Sequence, residues 1–475
     1  MPAVFPKDQM PAPILPDQPH WCDLYWKACE IAWRNIEQPP LKGWKPQMTC
    51  MPGVGNIWQW DSCFMAMFCK YASQVLPGMN NLDNLYSRQD ADGYISMAYR
   101  MATGKPAYGK FINPPLYAWV EWDYYRATGD RTRFPKVLPV LTAYFDWLKV
   151  HRRRENGLYW FEIPGASGMD NAPRGGSIRN GSGMGHVDIS AQQALAARCL
   201  AAMAAALGQS RRAQRFDAEF RDLKEKINAV LWHAKTGFYY DVFDDVYRHK
   251  NFVNHKTVAG FWPMLAGVAT HDQVDRLVEH LLNPQEFWRP HPVPSLSADD
   301  PNYDSLGAYW RGGVWPPTNY MIARGLQYYE RWDILRELAV RHVEALSEVE
   351  RNFSPRSLWE VYSPDQPRPA TCKVGEISRD NFVGWTGLGP IAMLIEHILG
   401  LDLNVPAGRI DWHIQTCEEQ GIRRLPFGKG RVDLLCRKRA GRYACPEITA
   451  SATVPVTLCV ISRDRRFEMK IKPGR

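Results

Sequence analysis

The chain has 475 residues, 45% of them hydrophobic and 12% aromatic, so it is long enough for one large domain and a smaller one, and disorder is not indicated. Its net charge of +8 comes largely from arginine, but no nucleic-acid-binding module accompanies these residues, so no nucleic-acid partner is predicted. No signal peptide opens the chain, no run of about 18 apolar residues predicts a membrane span, and eleven cysteines without a Cys-x-x-Cys motif indicate reduced thiols. We therefore expect a cytoplasmic protein without a membrane partner.

Helical spacing dominates the chain from about residue 18 to residue 400, where apolar residues such as Leu138, Leu141 and Phe145 recur between turns rich in glycine, proline and asparagine. The pattern predicts twelve helices, near residues 18–38, 60–75, 78–88, 114–128, 132–152, 187–207, 210–232, 257–268, 271–282, 316–329, 332–352 and 381–399. Because short and long loops alternate between these helices, we predict six hairpins closed into an all-α (α/α)6 toroid over residues 1–403.

The texture changes after Gly400, where short alternating stretches such as Val432, Leu434 and Cys436 appear. They predict a small C-terminal β-sandwich-like domain over residues 404–475. This segment has no carboxylate in an aromatic setting, so we assign it a packing role.

The unusual residues lie in the long loops of the helical region, which span residues 89–113, 153–186, 233–256, 284–315 and 353–380. In a toroid such loops gather at one end and line a central pocket. Four segments in or beside them combine aromatic rings or a sharp turn with ionisable or amide side chains: Trp58–Asp61, Gly168–Arg174, Tyr309–Trp315 and Trp359–Tyr362. Indole faces stack on sugar rings while carboxylates and guanidinium groups bind hydroxyls, so the mixture predicts a glycoside-processing enzyme.

Hydrolysis of a glycosidic bond generally needs two carboxyl groups, one to protonate the leaving oxygen and one to activate water or attack the sugar. Asp170 lies in a turn bent by Pro173, and a partly desolvated carboxyl has the raised pKa that a general acid needs. Glu360 lies among bulky apolar neighbours, with Glu376 as its rival. On spacing alone, a structural cap at Asp170 and an exposed glutamate at position 360 remain alternatives.

Two further side chains have a structural and a functional interpretation. Asp61 either caps a helix or accepts hydrogen bonds from two sugar hydroxyls, and Arg311 either makes a salt bridge or contacts the substrate. No metal or organic cofactor is predicted, because His186 with Asp188 is a weak ligand pair and the glycine clusters match neither a P-loop nor a dinucleotide fingerprint.

Six motifs, taken in order, resemble those of glycoside hydrolase family 63 and of its trehalase relatives in family 37, and within the group they look most like bacterial mannosylglycerate and glucosylglycerate hydrolases. The resemblance covers roughly residues 50–400. The motifs are WQWDSCF at 58–64, NPP at 113–115, GMDNAPR at 168–174, YWRGGVW at 309–315, WEVY at 359–362 and FVGWT at 382–386.

The resemblance implies an (α/α)6 catalytic domain that hydrolyses α-glycosides with inversion and without a metal or organic cofactor, with Asp170 as general acid and Glu360 as general base. It also implies a sugar-binding subsite, shaped by Trp60, Asp61, Asn113, Trp310, Arg311, Trp315 and Trp385, with Gln59 beside it. The chemistry of the same loops adds Trp58, Asn171, Arg174, Tyr362 and Glu376 as predicted substrate-binding residues.

The predicted function is an exo-acting inverting α-glycosidase that removes glucose or mannose from a small α-glycoside. The loops at 175–185 and 365–380 depart from the family pattern, and they hold or adjoin Arg174, Arg179, Arg368 and Arg379, so an anionic aglycone such as glycerate is plausible chemistry. Trehalose and short α-gluco-oligosaccharides are the nearest alternative substrates. A helical-toroid polysaccharide lyase or sugar epimerase, and a sugar-binding protein without turnover, are the alternative classes.

Overall fold

The structure is a computed structural model that describes residues 4–174, 184–244, 250–373, 376–441, 443–463 and 465–474. Over these ranges it contains twelve helices, the last of them a π-helix. Their bounds are α1 Pro19–Arg34, α2 Gln59–Cys69, α3 Gly78–Tyr86, α4 Tyr117–Thr128, α5 Phe134–His151, α6 Val187–Ala206, α7 Ser210–Val230, α8 Trp262–Ala266, α9 His271–Leu281, α10 Pro316–Tyr328, α11 Trp332–Asn352 and α12 Gly389–Ile398. Each lies within one of the predicted helical segments, or within a residue of it, so the prediction of a helix-rich chain is confirmed.

Two predicted helices are shorter than expected. The segment at 257–268 begins with a 3-10 turn, Val258–Phe261, and becomes α-helical only at Trp262. The segment at 381–399 is helical only from Gly389, after the 3-10 turn Thr386–Leu388. Both helices then have a proline in the first turn, where the missing N–H costs nothing.

The even-numbered helices form a closed circuit: α2 contacts α4, α4 contacts α6, α6 contacts α8, α8 contacts α10, α10 contacts α12, and α12 contacts α2. Every residue of α2, α8 and α12 is buried. The odd-numbered helices are one-sided by comparison, and α7 buries only Ala213, Phe216, Leu223 and Ile227. The even-numbered helices are therefore an inner layer, and the amphipathic odd-numbered helices cover them.

A buried ionic network joins four inner helices. Lys70 directly follows α2 and pairs with Asp123 of α4 and, at 2.8 Å, with Glu396 of α12. Arg324 of α10 pairs with the same two carboxylates at 2.8 and 3.2 Å. Burial favours the neutral form of each acid, but the two cations hold the pKa of Asp123 and Glu396 below their usual range. Lys70 lies nine residues beyond Asp61, so the network is about 13 Å further along α2 than that residue.

Strands occupy the loops and the C-terminal region. Their bounds are β1 Ala12–Ile14, β2 Ile36–Glu37, β3 Gln47–Met48, β4 Asn56–Trp58, β5 Ala98–Arg100, β6 Met184–Gly185, β7 Trp232–His233, β8 Phe238–Tyr239, β9 Val242–Asp244, β10 Lys250–Phe252, β11 Thr371–Lys373, β12 Glu376–Ile377, β13 Leu401–Asn404, β14 Arg409–His413, β15 Gln420–Phe427, β16 Gly430–Cys436, β17 Ile448–Ala452, β18 Val456–Ser462 and β19 Arg465–Ile471. Two four-stranded sheets, ordered β1-β15-β16-β17 and β13-β14-β18-β19, contact each other through β17 and β19.

One strand of this pair of sheets comes from the other end of the chain. Ala12–Ile14 pairs antiparallel with β15, with Ala12 opposite Arg423 and Ile14 opposite Gly421. The C-terminal β-rich region thus includes an N-terminal strand. Across the described ranges, none of the helices has the length and apolar content needed to cross a membrane.

Candidate active site

Residues of the long loops, together with the segments 50–61 and 382–385, line a cavity of about 270 Å³. Seven of the fifteen predicted site residues line it: Trp58, Trp60, Asp61, Asn113, Asp170, Glu360 and Trp385. The other described lining residues are Cys50, Val54, Met97, Tyr108, Gly165, Gly168, Tyr309, Arg379 and Phe382. The structure therefore places both predicted catalytic carboxyl groups at one cavity, although the two residues are 190 positions apart in the sequence.

The loop that carries Asp170 is packed against Trp60. Gly168 has a left-handed backbone with φ +76°, and a Cβ atom at this position would lie 2.3 Å from Cζ2 of Trp60, so glycine is required. Asp170 itself is exposed to the cavity. The surrounding wall still desolvates its carboxyl group and raises its pKa to about 6, against a smaller lowering by its own backbone N–H.

Glu360 differs from Asp170 in having a cation and a hydrogen-bond donor beside its carboxyl group. Its side chain is buried, Tyr309 donates a hydrogen bond from its hydroxyl to Oε1 at 3.2 Å, and Nε of Arg379 lies 3.9 Å from Oε2. Burial is the largest effect and, with the Asp170 carboxylate, raises the pKa of Glu360, although the Arg379 cation and the Tyr309 hydroxyl oppose that rise. The backbone is held on both sides, because its N–H donates to the carbonyl of Arg379 and its carbonyl accepts from Nε1 of Trp385 at 2.8 Å.

The two carboxyl groups are therefore suited to different tasks. Asp170 has no cation among the groups that shift its pKa and favours the protonated form, as a general acid requires. Glu360 has a cation and a hydrogen-bond donor that favour its charged form, as a general base requires. This difference in the neighbours of the two carboxyl groups supports the predicted roles of both residues.

A third carboxyl group, Asp61, lies in the first turn of α2. Its pKa is raised to about 8, mainly by burial and further by the nearby carboxylates of Glu360 and Asp170. Asn113 lines the same cavity, and its Nδ2 donates to the carbonyl of Ala166 at 3.2 Å. Its Oδ1 is buried and has no hydrogen-bond partner in the part of the chain that the structure describes, so it is open to a sugar hydroxyl.

Four tryptophans form one cluster, but only two of them reach the cavity. Trp310 and Trp315 stack with ring centroids 4.0 Å apart and planes 7° apart, and both are fully buried. Trp60 packs on Trp310 and on Trp385 with centroids 6.1 and 5.9 Å apart. Trp310 and Trp315 were predicted to contact the sugar, but neither lines the cavity: these rings pack behind Trp60 and Trp385.

Arg174, another predicted substrate-binding residue, does not line the cavity either. Its guanidinium group is buried and makes four hydrogen bonds of 2.6 to 2.9 Å, two to Asp188 and two to Asp241. Asp241 also accepts from the backbone N–H of Val187 at the start of α6. The arginine is fully used in fastening the end of the acid loop to α6, and Asp188 is an ion-pair partner of it.

Gln59 and Tyr362 likewise point into protein. The amide of Gln59 is buried and hydrogen bonds to the hydroxyl of Tyr144 at 3.2 Å. The hydroxyl of Tyr362 accepts from the backbone N–H of Trp359 at 3.0 Å. Both residues lie close to a cavity residue in sequence but face the core, so neither lines the cavity as predicted.

Three other predicted contacts lie outside the cavity wall. Asn171 uses both ends of its amide on the backbone of residues 308–310, while Arg311 is exposed and its Nε reaches the carbonyl of Asn171 at 3.4 Å. Glu376 is exposed on the short hairpin β11-β12. None of the three lines the cavity in this structure.

Several lining residues were missed or assigned another role. Tyr309 lies inside a predicted motif, but its contact with Glu360 depends on a left-handed backbone that the sequence does not announce. Tyr108 carries no sequence signal. Of the arginines proposed for an anionic aglycone, Arg379 lines the cavity, Arg368 lies over the ring of Phe353, and Arg179 is outside the described residues.

A cavity that joins two carboxyl groups, only one of them beside a cation, to an indole wall is the site of a glycoside hydrolase. The family comparison agrees with this class. Residues 55–380 match the family model described as the mannosylglycerate hydrolase MGH1-like glycoside hydrolase domain. The chain therefore belongs to this family, a group within glycoside hydrolase family 63, and the resemblance seen in the sequence is confirmed.

Individual relatives cover much of the chain. An uncharacterized protein of Borreliella burgdorferi is 29% identical over 88% of this chain and 87% of its own length. The mannosylglycerate hydrolase MGH1 of Selaginella moellendorffii is 25% identical over 57% of this chain and 69% of its own. The crystal structure of the family 63 mannosylglycerate hydrolase of Thermus thermophilus with glucose superposes with a TM-score of 0.64 at 22% identity, covering 78% of this chain and 100% of that one, and so shares the fold.

Proposed function

We propose that the protein is an exo-acting, inverting α-glycosidase that removes one glucose or mannose unit from a small α-glycoside. Asp170 protonates the glycosidic oxygen as the bond to the anomeric carbon breaks. Glu360 takes a proton from a water molecule whose oxygen bonds to the same carbon from the opposite face. The observation that supports this proposal is that both carboxyl groups line one cavity, where Glu360 has Arg379 and Tyr309 beside it and Asp170 has no cation among the described groups that shift its pKa.

The size and lining of the cavity support removal of a single sugar unit. Its 270 Å³ lies just below the ~300 Å³ at which small-molecule pockets usually begin. Trp60 and Trp385 supply faces for the ring, while Asp61 and Oδ1 of Asn113 accept hydrogen bonds from hydroxyl groups. We assign these four residues to the sugar subsite.

The leaving group is proposed to be glycerate or a similar small anion, with trehalose as the alternative substrate. Arg379 is the only cation among the described lining residues, and its side chain is 64% exposed. Three relatives are described as mannosylglycerate hydrolases. The observation that favours trehalose is an aromatic pair at the cavity, Trp58 and Tyr108, whose ring centroids are 5.3 Å apart. The second sugar ring of a disaccharide would stack on this pair.

The proposed architecture is an (α/α)6 toroid over residues 1–403 with a β-sandwich-like domain over 404–475. The closed circuit of the six even-numbered helices supports the first part, and the two contacting four-stranded sheets support the second. We also propose a cytoplasmic location. None of the eleven cysteines, all within the described residues, forms a disulfide bond, as is usual in a reducing compartment.

The test is a panel of α-mannosylglycerate, α-glucosylglycerate, trehalose and aryl α-glycosides, with NMR observation of the first-formed sugar. We expect the β-anomer to appear first, because inversion converts an α-glycoside into a β-sugar. Asp170→Asn and Glu360→Gln should each lower kcat by roughly 10²–10⁴ with unchanged Tm, whereas the surface control Asp222→Asn should leave kcat alone. An α-anomer formed first refutes inversion, and turnover that survives both substitutions points to a lyase or epimerase.

A further inference from the structure

Asn171, the residue after the proposed general acid, does not face the substrate. Its Nδ2 donates to the carbonyl oxygen of Ala308 at 2.9 Å, and its Oδ1 accepts from the backbone N–H of Trp310 at 2.8 Å. The side-chain amide therefore brackets Tyr309 by holding the backbone on each side of it. Both functions of the amide are used, so Asn171 contributes to the site through Tyr309 and not through a sugar hydroxyl.

The bracketed backbone adopts a conformation that non-glycine residues avoid. Ala308 and Tyr309 are consecutive and both left-handed, with φ of +36° and +65°. Thr371 holds the same residues, because its carbonyl accepts from the N–H of Tyr309 at 2.7 Å and its Oγ1 accepts from the N–H of Ala308 at 3.1 Å. Strained residues of this kind persist only where surrounding contacts impose them, and they are concentrated at functional sites.

The strained backbone at Ala308 and Tyr309 places a hydrogen-bond donor beside the proposed base. The turn directs the phenol of Tyr309 to Oε1 of Glu360, at 3.2 Å, inside a cavity where a carboxylate has few other donors. Asp170 and Asn171 are adjacent, so one loop presents the acid to the cavity and clamps the backbone that carries the donor to the base. The loop that carries Asp170 and Asn171 therefore positions both the proposed acid and the donor to the proposed base.

We propose that Asn171 is a positioning residue that fixes Tyr309 so that its hydroxyl aligns Glu360 and stabilises the charged form of this base. The inference rests on the proposed function for its catalytic meaning, but the chain of contacts from Asn171 to Glu360 stands without it. Asn171 acts through Tyr309, and Tyr309 is the residue that touches the reacting carboxylate.

The other charged and titratable groups around Glu360 determine how its pKa responds when the phenol of Tyr309 is lost. The titratable and charged groups facing it are Tyr309, Arg379, Asp170, Asp61 and the thiol of Cys50. Of these, Arg379 and Tyr309 favour the carboxylate and Asp170 opposes it. Removing or misplacing the phenol leaves Arg379 alone against burial, so the pKa of Glu360 rises and the base is protonated over a wider range of pH.

The experiment compares Tyr309→Phe, Asn171→Ala and the double variant with the wild type. The acidic limb of the kcat/KM profile, which reports the base, should move up by about one pH unit in each single variant, while KM near the optimum stays within about two-fold. The double variant should show no more shift than Tyr309→Phe alone, because Asn171 acts through the phenol. Asn84→Ala is the matched control, since its buried amide makes the same pair of bonds to the backbone of Lys45, away from the cavity.

A second readout separates this inference from the proposed function. Carboxyl ¹³C NMR, with Glu360 assigned by loss of its signal in Glu360→Gln, follows the titration of the base in the resting protein without any turnover. The same upward shift is expected in Tyr309→Phe and Asn171→Ala, and Thr371→Val, which removes one bond to the same turn, serves if Asn171→Ala does not fold. An unchanged Glu360 titration, or shifts that add in the double variant, overturns the positioning role. Shifts without turnover of any glycoside overturn the proposed function and leave the positioning intact.

Discussion

Replacement of Arg174 by methionine tests whether this residue binds substrate, as the sequence predicted, or fastens the acid loop, as the structure shows. The substitution keeps a long side chain but removes a buried cation and the four hydrogen bonds that it donates to Asp188 and Asp241. Removing one partner of a buried ion pair costs about 3–5 kcal/mol, because the other charge stays desolvated. With an unfolding entropy of ~2.1 cal/mol/K per residue, 475 residues that unfold together have a total unfolding entropy of ~1 kcal/mol/K. Dividing the lost free energy by this entropy predicts that Tm falls by about 3–5 °C.

The loss should depend on pH in a defined direction. In the wild type, burial raises the pKa of Asp241, but the Arg174 cation outweighs burial and holds the pKa of the folded state below that of the unfolded state. The stabilisation from this ion pair is therefore fully present above the unfolded-state pKa and is lost as pH falls through the folded-state pKa. In the variant, only His186 and the N–H of Val187 still oppose burial, which is the largest effect, so we expect the folded pKa to lie above the unfolded one. The penalty is then full at neutral pH and shrinks as the carboxyl groups are protonated, so the difference in Tm should be larger at pH 7.5 than at pH 5.

Differential scanning calorimetry at the two pH values, together with steady-state kinetics, gives the measurement. The surface control Arg276→Met, whose partner Glu279 is exposed, should leave Tm within about 1 °C. Adding Asp188→Asn and Asp241→Asn to the Arg174 variant should restore part of the stability, since no buried charge remains. A raised KM with unchanged Tm refutes the structural role, and a loss of Tm that does not vary with pH refutes the electrostatic account of it.

Three shorter predictions concern the cavity. The kcat/KM should fall as pH rises through about 6, because Asp170 must be protonated to act as the acid, and an alkaline limb near pH 8 would contradict this assignment in a pH–rate profile. Gly168→Ala and Gly208→Ala both place an alanine at positive φ, which should lower the free energy of unfolding by about 1–2 kcal/mol in each variant. Only the alanine at position 168 would contact Trp60, so only Gly168→Ala should lower kcat, by roughly ten-fold or more. Tyr108→Ala should raise KM for disaccharides with little change in Tm, and an unaffected KM in such assays excludes an aromatic aglycone platform.

Much of the helical architecture follows from local signals. Apolar periodicity between prolines and glycines marked all twelve helices, and the 3-10 turns at 258–261 and 386–388 were missed because they share the helical pattern over a few residues. The pairing of Ala12–Ile14 with β15 was not predicted, because three residues at the start of the chain carry no register information for a partner more than 400 positions away.

The site was predictable to the level of loops but not of side-chain direction. Asp170 and Glu360 face the cavity, while the neighbouring Asn171 and Tyr362 face the backbone and the core. A turn sends successive side chains to different sides, and which of them meets the substrate depends on partners from distant segments. Arg174 shows this most clearly, since its partners are 14 and 67 positions further along the chain.

The strand at Ala12–Ile14 has a consequence for how the polypeptide is made. Because translation runs from the N-terminus to the C-terminus, this strand is made roughly 400 residues before its partner in Gln420–Phe427. Its backbone groups stay unpaired until those residues have been made, and Gln420–Phe427 then has an open edge until the two strands meet. Expression of the helical region alone leaves Ala12–Ile14 without its partner, so the two segments are best kept in one polypeptide.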